Sequence, residues 1–303
     1  MAKKAKKKTA KKRSTKKAKG GGGKSAKAKK AAESADVPDV ISFSKFGAER
    51  VLASQVPEPG SEDRQQAQDL AYQAMEADDP DVVADLAMQA LAVYPYCVDA
   101  LSIVAELSAE SDEDYAAMMR MVVEIAEHEL GPEWFEQYRG EFWSFLETRP
   151  YMRARHALAG ALMRIGDRRG AIKEMEGMLD LNPEDNQGVR YPLLGCYLEE
   201  GDLESARELF ERYDEEWSAM FAWAKVLERF LAGDEKGATK ALAEARSVNP
   251  HVEAYLTGKK RLPKNPPAYY GPGDPDEAYV CKVEIGFAWE SHPEAIRWLK
   301  RVG

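Results

Sequence analysis

The sequence predicts an all-α fold, a row of helical hairpins stacked into a solenoid, with a disordered basic tail in front of it. Three observations lead there. From about Asp63 onward apolar side chains recur at i, i+3, i+4 and i+7, the repeat of one helical face. Gly-Asp pairs or prolines interrupt that pattern every 12 to 20 residues, about one helix length. No stretch alternates apolar and polar residues as a half-buried strand does.

The tail comes first. Residues 1–36 are Lys, Ala and Gly-rich, and the first 30 hold 15 Lys+Arg and no acid. Self-repulsion and the lack of apolar mass predict disorder. Residues 31–303 carry 28 Lys+Arg against 52 Asp+Glu, a body of net charge −24. Such a body repels phosphate, so contact with a polyanion falls to the tail: Lys3, Lys4, Lys6, Lys7, Lys8, Lys11, Lys12, Arg13, Lys16 and Lys17. Within the tail, "AKGGGGKS" (Ala18–Ser25) fits a loosened phosphate-loop pattern. That loop works only between a buried strand and a packed helix, and neither flank has the apolar residues to build one. A glycine hinge is the reading, with Lys24 and Ser25 carrying no nucleotide chemistry. Residues 37–62 read as a Pro-punctuated linker, with Ile41–Phe46 a segment able to dock on the body.

Residues 63–147 read as N-terminal helical hairpins. Ala67, Leu70, Ala71, Ala74 and Met75 share one face of the first helix. "DPDVVADLAMQALAVYP" follows, with Pro80 suited to a first turn and Pro95 closing the element. "CVDALSIVAELSA" pairs with "DEDYAAMMRMVVEIAEHELG", and "PEWFEQYRGEFWSFLE" is a short aromatic segment.

Residues 148–258 repeat. Gly166-Asp167, Gly201-Asp202 and Gly233-Asp234 are 35 and 32 residues apart, and Asn182-Pro183 and Asn249-Pro250 are 67 apart. A helix–turn–helix unit of about 34 residues is the tetratricopeptide period. Ala171, Ala206 and Ala238 stand where the second helix approaches the first, and Met175, Phe210 and Leu242, four residues on, fill the groove between them.

"RPYM" (Arg149–Met152), "NPEDNQGVRY" (Asn182–Tyr191) and "NPHVEAYLTGKKRLP" (Asn249–Pro263), followed by "AYY", resemble the bacterial tetratricopeptide proteins related to the suppressor-of-tumorigenicity-seven family. The resemblance covers about residues 148–300. It implies a helical-repeat scaffold with no established catalytic role. The membrane segments of eukaryotic relatives have no counterpart here, since no apolar run approaches 18 residues.

Residues 259–303 read as a Pro-rich strap, with Tyr269 and Tyr270 pinned to the repeats, and a last helical pair capping the open end. Candidate chemistry is sparse. Cys97, Cys196 and Cys281 are far apart with no CxxC, so reduced buried thiols in a cytoplasmic protein are the expectation. His128, His156, His251 and His292 lack metal spacing, and no G-x-S-x-G occurs. The expectation is a non-enzyme with no metal and no cofactor.

A partner polypeptide is the expected ligand. First helices line the concave side of such a stack. Arg190, with Arg153 and Arg155 one repeat earlier, could therefore present guanidinium groups to a carboxylate, beside Asn186 and Gln187. The alternative for these residues is structural: Asn186 caps a helix starting near Gln187, and Arg190 bridges repeats. The pattern does not reproduce the Lys/Asn arrangement of chaperone-tail carboxylate clamps. Among the aromatics, Tyr197 and Trp223 are candidate groove anchors, with most of the others in the core. The rival reading is a nucleoid-associated adaptor working through the tail.

Overall fold

The computed structural model describes residues 61–302, and the tail, the phosphate-loop-like string and the Ile41–Phe46 segment lie outside them. Among the described residues there are fourteen α-helices and no strand. They form five hairpins: α1 (Ser61–Glu76) with α2 (Pro80–Val93), α3 (Val98–Ser108) with α4 (Asp112–Leu130), α6 (Arg149–Arg164) with α7 (Arg168–Leu181), α8 (Arg190–Glu200) with α9 (Leu203–Arg212), and α10 (Ala219–Leu231) with α11 (Glu235–Val248). The short α5 (Pro132–Gln137) lies between the second and third hairpins. Each hairpin packs against the one before: α3 on α1 and α2, α6 on α3 and α4, α8 on α7, α10 on α8 and α9.

The hairpin turns follow from local chemistry. Gly166, Gly201 and Gly233 adopt φ of 78°, 73° and 75°, where a side chain would be strained. The next residue, Asp167, Asp202 or Asp234, accepts a hydrogen bond from the backbone N–H three positions on and so caps the second helix. One dipeptide thus ends one helix and starts the next. Ala171, Ala206 and Ala238 are fully buried, as are Met175 and Leu242. Phe210 departs from that pattern. It is half-buried, edge-on to Phe221 at 5.5 Å, and Leu209 fills the core in its place.

The first two hairpins close on a narrower seam than the sequence suggests. Ala67, Ala71 and Ala74 are buried, but Leu70 is half-buried and Met75 is 45% exposed. Small residues let α1 and α2 approach closely, so no larger side chain is needed. Between α4 and α6, Trp134, Phe135, Tyr138, Phe142, Phe145 and Tyr151 form a knot of rings with centroids 4.6–6.1 Å apart.

The C-terminal segment differs from expectation in two ways. Tyr269 is 85% exposed and Tyr270 44% exposed, so the strap is not pinned through them. It is anchored instead at its end, where Gly273 N–H donates to Glu277 and Asn249 Nδ2 donates to the Asp274 carbonyl. Second, α13 (Pro275–Ser291), which follows the single turn α12 (Val252–Leu256), lies on α8 and α10, the first helices of the last two hairpins. The closing α14 (Pro293–Val302) rests on α10, with Trp298 against Phe230 at 5.3 Å. The pair therefore fills a face of the stack rather than extending its end.

Candidate partner-binding site

The first-helix face carries the polar residues singled out in the sequence, and the structure gives each a partner. Arg153 on α6 grips Asp99 on α3 with two hydrogen bonds, Nε to Oδ1 at 2.9 Å and Nη2 to Oδ2. Gln68 on α1 donates to the same carboxylate at 2.6 Å, so one buried Asp ties three hairpins together. Burial works against the charge of Arg153, but the hydrogen bonds and charge of Asp99 outweigh it and hold its pKa above the ordinary value. Arg155 bonds Glu174 at 2.7 Å, closing its own hairpin. Gln187 Nε2 reaches the Met152 carbonyl at 3.2 Å, while its Oε1 is buried without a partner.

Arg190 is the hub of the fourth hairpin. Its guanidinium bonds Glu216 at 2.7 and 3.0 Å, Asp185 at 3.1 Å and the Tyr191 hydroxyl at 2.8 Å. The bridging role is the geometry found. The N-cap position, however, is Val189, and the side chain that serves the helix start is Asp185 and not Asn186. Helix α8 starts at Arg190, and Asp185 Oδ1 and Oδ2 accept from the Val189 and Arg190 N–H groups at 2.9 Å. Asn186 is exposed in the turn before. A carboxylate four to five residues ahead reaches those N–H groups because Asp185 adopts φ of 49°, open to Asp and Asn. Burial raises the Asp185 pKa, and Glu216 is lowered, since its bonds from Arg190 overcome a burial cost acting the other way.

Tyr197 and Trp223 are core residues, 6% and 0% exposed. Tyr197 donates to Glu176 at 2.7 Å, and Trp223 Nε1 to the Asn249 carbonyl at 3.3 Å. Trp223 meets Trp289 of α13 at 6.4 Å, so the face it was expected to offer a partner is taken by the chain itself. A Cβ on Gly195, in the middle of α8, would sit 2.6 Å from Phe287 and 3.0 Å from the Glu284 carbonyl, a measure of how closely α13 approaches. The buried Glu277 completes the seat. It accepts from Ala219 N–H at 3.0 Å, Asn249 Nδ2 at 2.9 Å and Gly273 N–H at 2.7 Å, joining α13 to the start of α10 and to the strap. Sequence reasoning missed Gly195, Glu277 and Trp289. A glycine inside a helix, which costs about 1 kcal/mol against alanine, is the signal that marks such a close approach.

Toward the N-terminus a cleft of about 470 Å³ opens between α1, the α2–α3 turn, the end of α4, α5 and the start of α6. Tyr72, Tyr94, Tyr96, Trp134 and Tyr151 contribute to its walls, and the 63% exposed Leu146 stands at its rim. Cys97, Cys196 and Cys281 are buried free thiols, and burial pushes the Cys97 thiol up to about 11. Among the described residues no group of three or more His, Cys, Asp or Glu could hold a metal ion, and no helix is long and apolar enough to cross a membrane.

The family described as tetratricopeptide repeat matches residues 162–216, from the end of α6 to the segment before α10. No curated protein matches the chain. The matched stretch holds two of the three Gly-Asp turns and the Arg190 hub, so the chain carries a tetratricopeptide-type helical repeat at its centre.

Proposed function

We propose that this chain is a non-enzymatic scaffold that binds a partner polypeptide along the first-helix face of its stack. The observation that carries the reading is the run of five hairpins with a tetratricopeptide-type repeat at its centre, an architecture whose extended faces are used for binding other polypeptides. Helix α13 takes the face over α8 and α10, which leaves α1, α3 and α6 to present the working surface. A partner carboxylate reaches Arg153, Arg155 or Arg190 only by displacing Asp99, Glu174 or Glu216. The resemblance of "RPYM" and "NPEDNQGVRY" to bacterial relatives of the suppressor-of-tumorigenicity-seven family supports the same reading, and the proposal places the scaffold in the cytoplasm.

Affinity capture with the full chain from its native cells tests the scaffold reading. The expected outcome is a polypeptide recovered in near-stoichiometric amount through washes at raised salt. Recovery of nothing but salt-labile nucleic acid would favour the second reading, a nucleoid-associated adaptor, which the 15 Lys+Arg of residues 1–30 support. An Arg153→Ala/Arg155→Ala variant with unchanged helix content tests the arginines of α6, on the surface that α13 leaves open. Undiminished recovery from that variant counts against a role for those side chains in the partner contact.

A further inference from the structure

The aromatic cleft beside α1 sits in the most acidic part of the protein. Residues 61–138 hold 2 Lys+Arg against 19 Asp+Glu, and none of the basic residues is lysine. At the cleft, Arg64 lies over the Tyr94 ring at 4.9 Å and pairs with Glu129 at 2.9 Å. Burial raises the Glu129 pKa, against the lowering charge and hydrogen bond of Arg64. Glu147, at the rim, is exposed. The Tyr94 hydroxyl in the cleft wall is buried without a hydrogen-bond partner, although Tyr94 is only 5% exposed. Natural structures rarely leave such a group unpaired, so the wall at Tyr94 has hydrogen-bonding capacity to spare.

We propose that this cleft is the docking site for a basic segment of a partner polypeptide that inserts an aliphatic or aromatic anchor flanked by Lys or Arg. The inference rests on the scaffold reading and assigns it a surface and a class of partner. A volume of about 470 Å³ suits one or two large side chains rather than a whole helix. Leu146 and the rings supply the apolar contact. The exposed Glu147 and the surrounding acidic field attract the flanking cations and speed encounter. Residues 2–30 of this chain have the charge but no apolar side chain larger than alanine, so they lack the anchor.

The test is fluorescence polarisation with the full chain and three labelled synthetic peptides: KKALLFAKK, its acidic counterpart EEALLFAEE, and the anchorless KKAAAAAKK. The first is expected to bind at least tenfold more tightly than either of the others. Leu146→Lys, a change at an exposed position, is expected to weaken it at least tenfold, and Glu147→Gln about threefold. Trp217→Ala, at a 65% exposed position among α9–α11, is expected to leave it unchanged. Equal binding of the anchored and anchorless peptides, or binding unmoved by Leu146→Lys, would overturn the proposal. Failure of the peptides alongside a captured partner removes only this site assignment. Failure of the capture removes the scaffold reading.

Discussion

Residues 61–138 and 139–303 share one architecture but settle their charge differently. The first region has 19 acids and 2 bases, whereas the second has 28 acids and 24 bases. In the second, arginines stitch elements together: Arg155–Glu174, Arg168–Glu199, Arg190–Glu216, Arg207–Glu228 and Arg246–Glu253. The first closes on alanine seams and borrows arginines from its neighbour, with Arg153 and Arg164 of α6 reaching back to Asp99 and Asp112. The C-terminal repeats also have their first-helix face filled by α13. A region whose charges are matched and whose groove is occupied is complete in itself. The region with an excess of acids and an open aromatic cleft is the one to which the proposed partner contact is assigned.

Breaking the filled face should produce the largest effects. Trp289→Ala removes a fully buried indole from between α13 and Trp223, and the expected cost is roughly 3–5 kcal/mol, read as a fall in the urea midpoint. Glu277→Ala strands the Ala219 and Gly273 N–H groups and the Asn249 amide, at a cost of about 2–4 kcal/mol by the same measurement. A change below about 1 kcal/mol for either variant would show that α13 is a loose attachment.

A pH titration sharpens the comparison. Burial raises Glu284 of α13 to about 7 from an ordinary 4.5. Because the folded state holds this proton more tightly than the unfolded chain, its contribution is fully present below pH 4.5. It is lost as pH rises through 7, by up to about 3 kcal/mol. Glu284→Gln should therefore stabilise the protein at pH 8 and flatten that part of the stability profile. An identical pH dependence in the variant would place Glu284 in water. The smallest expected effect lies in the open region. Leu146→Lys should move stability by no more than about 0.5 kcal/mol, because its side chain already faces solvent. A larger loss would make Leu146 part of the core and not of a binding rim.

What the sequence revealed was what local chemistry decides. The Gly-Asp turns were legible because one residue needs a left-handed backbone and the next a capping carboxylate, and both requirements act within four positions. Ala171 with Met175 and Ala238 with Leu242 were legible for the same reason. The seat of α13 was not, because no residue within 275–291 states which distant face it covers. Its partners, Gly195, Trp223 and Ala219, lie more than 50 residues away. Arg190 showed the limit most clearly. A guanidinium beside a turn suits a ligand carboxylate and an internal one equally, and only the fold brings Glu216 to it. The N-terminal cleft escaped notice because its walls come from five separate elements, each unremarkable alone.

Amide hydrogen exchange on the full chain tests the central claim most directly. If α13 is a permanent part of the C-terminal repeats, its amides exchange as slowly as those of α8 and α10, through the same global opening. Exchange in α13 faster by orders of magnitude, with α8 and α10 still protected, would mean that the face opens to partners, and the contrast between the two regions would fail.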